Sequence, residues 1–198
     1  MMARTTKPGP ASWILFVLVL AWEMLILPCC TRIPPTPVRS FTTMDLLIDL
    51  SDMPEGWKVS ENSPSRILDY LAGRDPATAD DASRIVFLAD TPYIPWYDAG
   101  HDVYRFKTPA VAKHVYKSFE RGETPLDWTC QSPVAEESKF LCDTKDQELA
   151  YCTWFAYYDE YYVEFGAALV PGKMSLEDVE KIVRVIDKKM TRYVKPIE

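Results

Sequence analysis

Histidine is scarce in this chain: only His101 and His114 occur in 198 residues. There is no G-x-S-x-G elbow, so the sequence offers no recognisable Ser-His-Asp constellation. It also has no C-x-x-C pair, and both histidines lie upstream of the later cysteines, which removes the usual zinc spacings. Basic residues are in deficit, with 22 Lys and Arg against 29 Asp and Glu. Without Met1–Pro28, which holds Arg4, Lys7 and Glu23, the balance is more acidic still. A net negative domain repels phosphate backbones, so nucleic acid is not an expected partner. No uncharged apolar stretch reaches the roughly 20 residues of a membrane-spanning helix. The unbroken run extends only from Trp13 to Trp22. Glu23 follows it, at a cost of roughly 2.5–3.5 kcal/mol near a bilayer centre.

What is present at the N-terminus has the order of an export signal: basic Arg4 and Lys7, an apolar middle, then Pro28, Cys29 and Cys30. Leu27–Cys30 resembles a lipobox, the site at which bacterial lipoproteins are diacylated on cysteine and cut just before it. That family prefers a small residue ahead of the cysteine, so the resemblance implies lipid on Cys30, with Cys29 the alternative. The stretch 31–40 holds three prolines and reads as an extended spacer. The expected division is a leader over 1–29, a proline-rich tether over 30–41 and one extracytoplasmic domain over 42–198. The protein is then lipid-anchored to the cell membrane on its outer side. Export places the later cysteines in an oxidising compartment. The turn-like residues 144–147 favour a Cys142–Cys152 disulfide, with Cys130 an alternative partner.

Within the domain, Thr43 suits the cap of a short helix over 44–50, and 65–71 reads as another. Residues 84–88 (RIVFL) form a buried strand, 90–100 a loop and 102–107 a strand. Pro109 opens a helix with Val111, Val115 and Phe119 along one side. Strands follow over 128–131, 140–143, 150–156 and 161–169, the last pair a hairpin turning at Asp159-Glu160. Ser175 caps a final helix whose apolar stripe is Leu176, Val179, Ile182, Val183, Ile186 and Met190. Runs of strands followed by helices indicate an α+β domain: an antiparallel sheet with helices packed on one face.

Three stretches carry a family resemblance: Asp52–Trp57 (DMPEGW), Cys152–Tyr162 (CTWFAYYDEYY) and Met174–Met190 (MSLEDVEKIVRVIDKKM). In these the chain resembles a group of uncharacterised bacterial cell-envelope lipoproteins, similar in plan to extracellular sensor and PsbP-like α+β domains. The resemblance implies a tethered domain and supplies no catalytic residue.

The aromatic content is high, and much of it falls between Tyr151 and Phe165. Side-chain alternation divides these rings between the two sheet faces. Tyr161, Val163 and Phe165 are assigned to the core. Trp154, Tyr158 and Tyr162 are expected on a face open to a ligand or partner, extended by Tyr93, Trp96 and Tyr97 in the 90–100 loop. The acidic groups Asp143, Asp146, Glu148 and Asp159, Glu160, Glu164 lack the spacing of a calcium loop and read as solvated turns. His101 reads as a surface-loop residue and His114 as a helix flank. No catalytic residue, metal or cofactor is expected. The chain reads as a membrane-tethered, non-enzymatic binding or interaction module for a protein partner or a small amphiphile. An accessory subunit of a membrane complex is the alternative, and an unrecognised hydrolase the third reading.

Overall fold

The computed structural model describes residues 38–67, 79–89, 98–118, 130–143 and 150–194. All of these belong to the compact unit Thr36–Glu198. The β-branched and aromatic runs build a seven-stranded sheet: β1 (Trp57–Val59), β2 (Ser65–Arg66), β3 (Asp81–Ala89), β4 (Asp98–Arg105), β5 (Glu137–Asp143), β6 (Tyr151–Tyr158) and β7 (Tyr161–Ala168). The order is β1-β3-β4-β7-β6-β5, with β2 paired to β3 beside β1, and every pairing is antiparallel. The β6–β7 hairpin turns at Asp159, which takes φ 52°, a left-handed conformation that Asp tolerates better than most residues. Helix α1 (Pro109–Ser118) follows β4, and helix α2 (Leu176–Tyr193) follows β7. At the start of α2, Ser175 Oγ accepts from Asp178 N–H (3.2 Å) while Asp178 Oδ2 accepts from Ser175 N–H (3.1 Å).

The architecture is α+β on an antiparallel sheet, but its helices divide between the two faces. The α2 stripe of Val179, Ile182, Val183, Ile186 and Met190 packs on Trp154, Ala156, Tyr158, Tyr161, Val163 and Phe165. Ala112, Val115 and Tyr116 of α1 pack on the opposite face, against Tyr104, Phe155, Tyr157 and Tyr162. The central strands are therefore buried on both sides.

Local differences from the sequence reading have local causes. Over 44–50 there is no continuous helix. Two 3₁₀ turns, Thr43–Leu46 and Leu50–Asp52, each close through an aspartate three residues after the cap. Ser65–Arg66 is a strand paired to β3, not a helix. Residues 130–131 are irregular, and 98–100, read as loop, are the start of β4.

Arg39 and Phe41, assigned to the tether by the sequence, belong to the domain. The Arg39 guanidinium donates to both oxygens of Glu160 (2.9 and 3.1 Å), to Asp159 Oδ2 (3.2 Å) and to the Val194 carbonyl (3.1 Å). Phe41 stacks on Tyr161 and packs on Tyr193.

The structure joins Cys142 and Cys152, direct cross-strand partners on β5 and β6, in a disulfide, and leaves Cys130 a buried free thiol. Burial, with Glu180 and Asp187 nearby, pushes that thiol up to about 11.

Candidate functional site

The exposed aromatic surface expected on β6 and β7 is not formed. Trp154, Tyr158 and Tyr162 are all fully buried. The three do not share a face as expected: Trp154 pairs with Phe165 and Tyr158 with Tyr161, which puts both on the core face, while Tyr162 lies on the other, and each face has its own helix. Trp154 and Tyr158 lie under α2, and Tyr162 lies beside α1. Tyr158 Oη donates to Asp187 Oδ1 (2.6 Å), as does Ser132 Oγ (2.5 Å), which ties α2 to β6 and to the segment before β5. Tyr93, Trp96, Tyr97, Cys29 and Cys30 lie outside the described residues.

His101 is likewise not a surface residue. It sits fully buried on β4, under the 3₁₀ segment, and its Nδ1 accepts the Ile48 N–H (3.1 Å). The proton of the neutral ring is thus on Nε2, which has no hydrogen-bond partner among the described residues. Burial, helped by Lys189, lowers its pKa to about 3. Asp102, next in sequence, points to the other sheet face, so these two do not form a base–carboxylate pair. His114 is exposed on α1.

Among the described residues, helix α1 covers the part of its sheet face near the Asp159–Glu160 turn. Towards the opposite strand ends the face opens into a groove of about 210 Å³. Its lining includes Arg84, Asp98, Asp102, Tyr151 and Glu164, above a floor containing Gly100 and Gly166. The two glycines are direct partners across β4 and β7, so no side chain rises between them. A Cβ on Gly166 would stand 2.6 Å from Tyr151 Oη, so this glycine is what lets the phenol lie against the backbone.

The electrostatics of the groove are unusual. Arg84, Asp102 and Glu164 form one row across β3, β4 and β7, in register. Asp102 and Glu164 are thus like charges placed directly opposite, which costs stability in a sheet. Arg84 offsets part of that cost. Its Nε donates to Asp102 Oδ1 (2.6 Å) and its Nη2 to Asp102 Oδ2. Tyr104 Oη donates to Asp102 (3.2 Å) and Tyr162 Oη to Glu164 (3.4 Å). Burial raises the Asp98 carboxyl above its usual range. It also raises the Tyr151 hydroxyl, with Asp98, Glu164 and Asp102 adding to the shift. Among the described residues, three carboxylates and one guanidinium line the groove. Such a site can neutralise a cationic group that also donates hydrogen bonds, such as an ammonium or a guanidinium. Among the described residues, no group of three or more His, Cys, Asp or Glu is placed to hold a metal ion.

The sequence reading missed this groove. The available signal was period two: Asp98, Gly100 and Asp102 share one face of β4, and Glu164 and Gly166 one face of β7. Polar or bare positions there interrupt otherwise apolar strands.

No protein-family model matches the chain, and no curated protein matches it. Among solved structures, the chain is similar to the extracellular domain of PknH from Mycobacterium tuberculosis. The TM-score is 0.46 and the identity 11%, over 81% of this chain and 99% of that one. A likeness at this level carries no inference about function.

Proposed function

We propose that this protein is a membrane-tethered, extracytoplasmic, non-enzymatic binding module that uses the groove beside α1 for recognition. The groove receives a cationic, hydrogen-bond-donating group, from a protein partner or a small ligand. The observation that carries this reading is the Asp102–Glu164 pair. The fold bears a like-charge pairing in the groove lining, with Asp98 beside it and Arg84 as a counter-charge among the described residues. The export-type leader and the Cys142–Cys152 disulfide support a location outside the cytoplasm, since disulfides persist in oxidising compartments. Among the described residues no helix is long and apolar enough to cross a membrane.

Native mass spectrometry of protein extracted from its own membrane tests the reading. Excess mass should be lost on unfolding and absent from the double variant Asp98→Asn, Glu164→Gln. That variant leaves the Arg84–Asp102 pair intact and should keep a cooperative melt. Retention of the same mass by the variant would refute the assignment of the groove.

A further inference from the structure

A second, larger groove lies on the other side of the sheet, where the N-terminal segment runs along the C-terminal half of α2. Its volume is about 650 Å³. One wall is basic: Lys188, Lys189 and Arg192 of α2. The facing wall is acidic: Asp45, Asp49 and Asp52 of the two 3₁₀ turns. Leu47 and Val185 are among the apolar residues between them. Lys189 spans the groove, donating to Asp49 Oδ2 (3.0 Å) and to the Leu47 carbonyl. Lys188 and Arg192 are exposed on one side, and Asp45 is exposed on the other. Hydrogen bonds from the Thr42 N–H and hydroxyl lower the pKa of Asp45, so it is ionised at neutral pH.

The groove begins where the tether ends. Tyr193, which lines it, packs on Phe41 (5.2 Å between ring centroids), and Arg39 holds the adjacent Val194 carbonyl. Two walls of opposite sign, an apolar base and a position at the entry of the chain match one chemistry: a phosphate joined to a primary ammonium. The phosphate meets Lys188 and Arg192, and the ammonium donates to Asp45 and Asp52.

We infer that this groove docks the phosphoethanolamine headgroup of the membrane to which the chain is tethered. This rests on the membrane-tethered reading above. The docked domain then presents its recognition groove, at the other end of the sheet, away from the bilayer.

The test is hydrogen exchange of the full-length protein in vesicles of phosphatidylcholine, with and without phosphatidylethanolamine. Amides in 45–52 and 185–193 should exchange roughly threefold more slowly when phosphatidylethanolamine is present, the scale of exposed charge pairs. The slowing should vanish in Lys188→Gln, Arg192→Gln, both exposed, with a nearly unchanged melt. Equal exchange in both vesicle types, or slowing that survives the double variant, overturns the inference. Soluble glycerophosphoethanolamine separates the sources: protection by it but not by vesicles overturns the membrane assignment. Flotation isolates the premise, because a chain that fails to float with phosphatidylcholine vesicles lacks the anchor, whatever its groove does.

Discussion

At the scale of single residues, burial decides more than residue type. His101 is the clearest case. In the folded protein its pKa is about 3, against 6.5 for an exposed imidazole. Between those values the unfolded chain binds the proton and the folded one does not. This contribution is therefore absent at neutral pH and destabilising below about 6.5, steepening to about 1.4 kcal/mol per pH unit. His101→Asn keeps an acceptor for the Ile48 N–H and removes the titration. Its denaturant midpoint should depend less on pH between about 5 and 6.5 than that of the wild type. Parallel pH profiles would show that His101 is not the group responsible. Gly56 illustrates a backbone requirement. It opens the turn into Trp57 at φ 86°, and the Trp57 indole then donates to the Lys173 carbonyl (3.0 Å). Gly56→Ala should cost about 1–2 kcal/mol by chemical denaturation, since an L side chain strains that conformation. No loss would mean the turn relaxes freely.

At the scale of elements, two covalent or ionic ties hold the ends of the sheet. At one end Arg39 joins the entering chain, the β6–β7 turn and the end of α2. The Glu160 side chain there is fully buried and that of Arg39 is 12% exposed. Burial acts to raise the Glu160 pKa, but the Arg39 guanidinium outweighs it and holds the carboxyl below its usual range. Arg39→Ala leaves that charge buried and unpaired and should cost about 3–5 kcal/mol. Arg39→Met with Glu160→Leu should recover most of the loss in the same denaturation experiment. At the other end, the Cys142–Cys152 bond closes a loop of sequence separation 10. Its reduction should cost about 2–3 kcal/mol, seen as a lower melting temperature in reductant. The elements most legible in the sequence were those set by local rules. The Ser175 cap and the 3.6-residue stripe defined α2, and paired aromatic runs around Asp159-Glu160 defined the hairpin. Alternation along one strand could not place Trp154 and Tyr158 relative to Tyr162, because the register across the hairpin sets them on opposite faces, and it could not reveal that both faces are covered, because that depends on where α1 packs. The groove was illegible for a similar reason. Arg84, Asp102 and Glu164 come from three strands, and only the register of β3, β4 and β7 brings them into one row.

At the scale of the whole molecule, the described residues form a sheet covered on both faces, with an acidic groove beside α1, and the proposed function adds an exported, lipid-anchored N-terminus. Residues 38–41 already belong to the fold, and the Arg39 clamp fixes where the chain enters the domain. The central claim is that this is a disulfide-bonded domain held outside the cytoplasm by a lipid on its N-terminus. Intact-mass spectrometry of the protein from its own membrane, before and after reduction, tests it most directly. The predicted species begins at Cys30, carries a diacylglyceryl modification and gains the mass of one reduced disulfide. A chain that keeps its leader, carries no lipid and does not change mass on reduction would contradict the account.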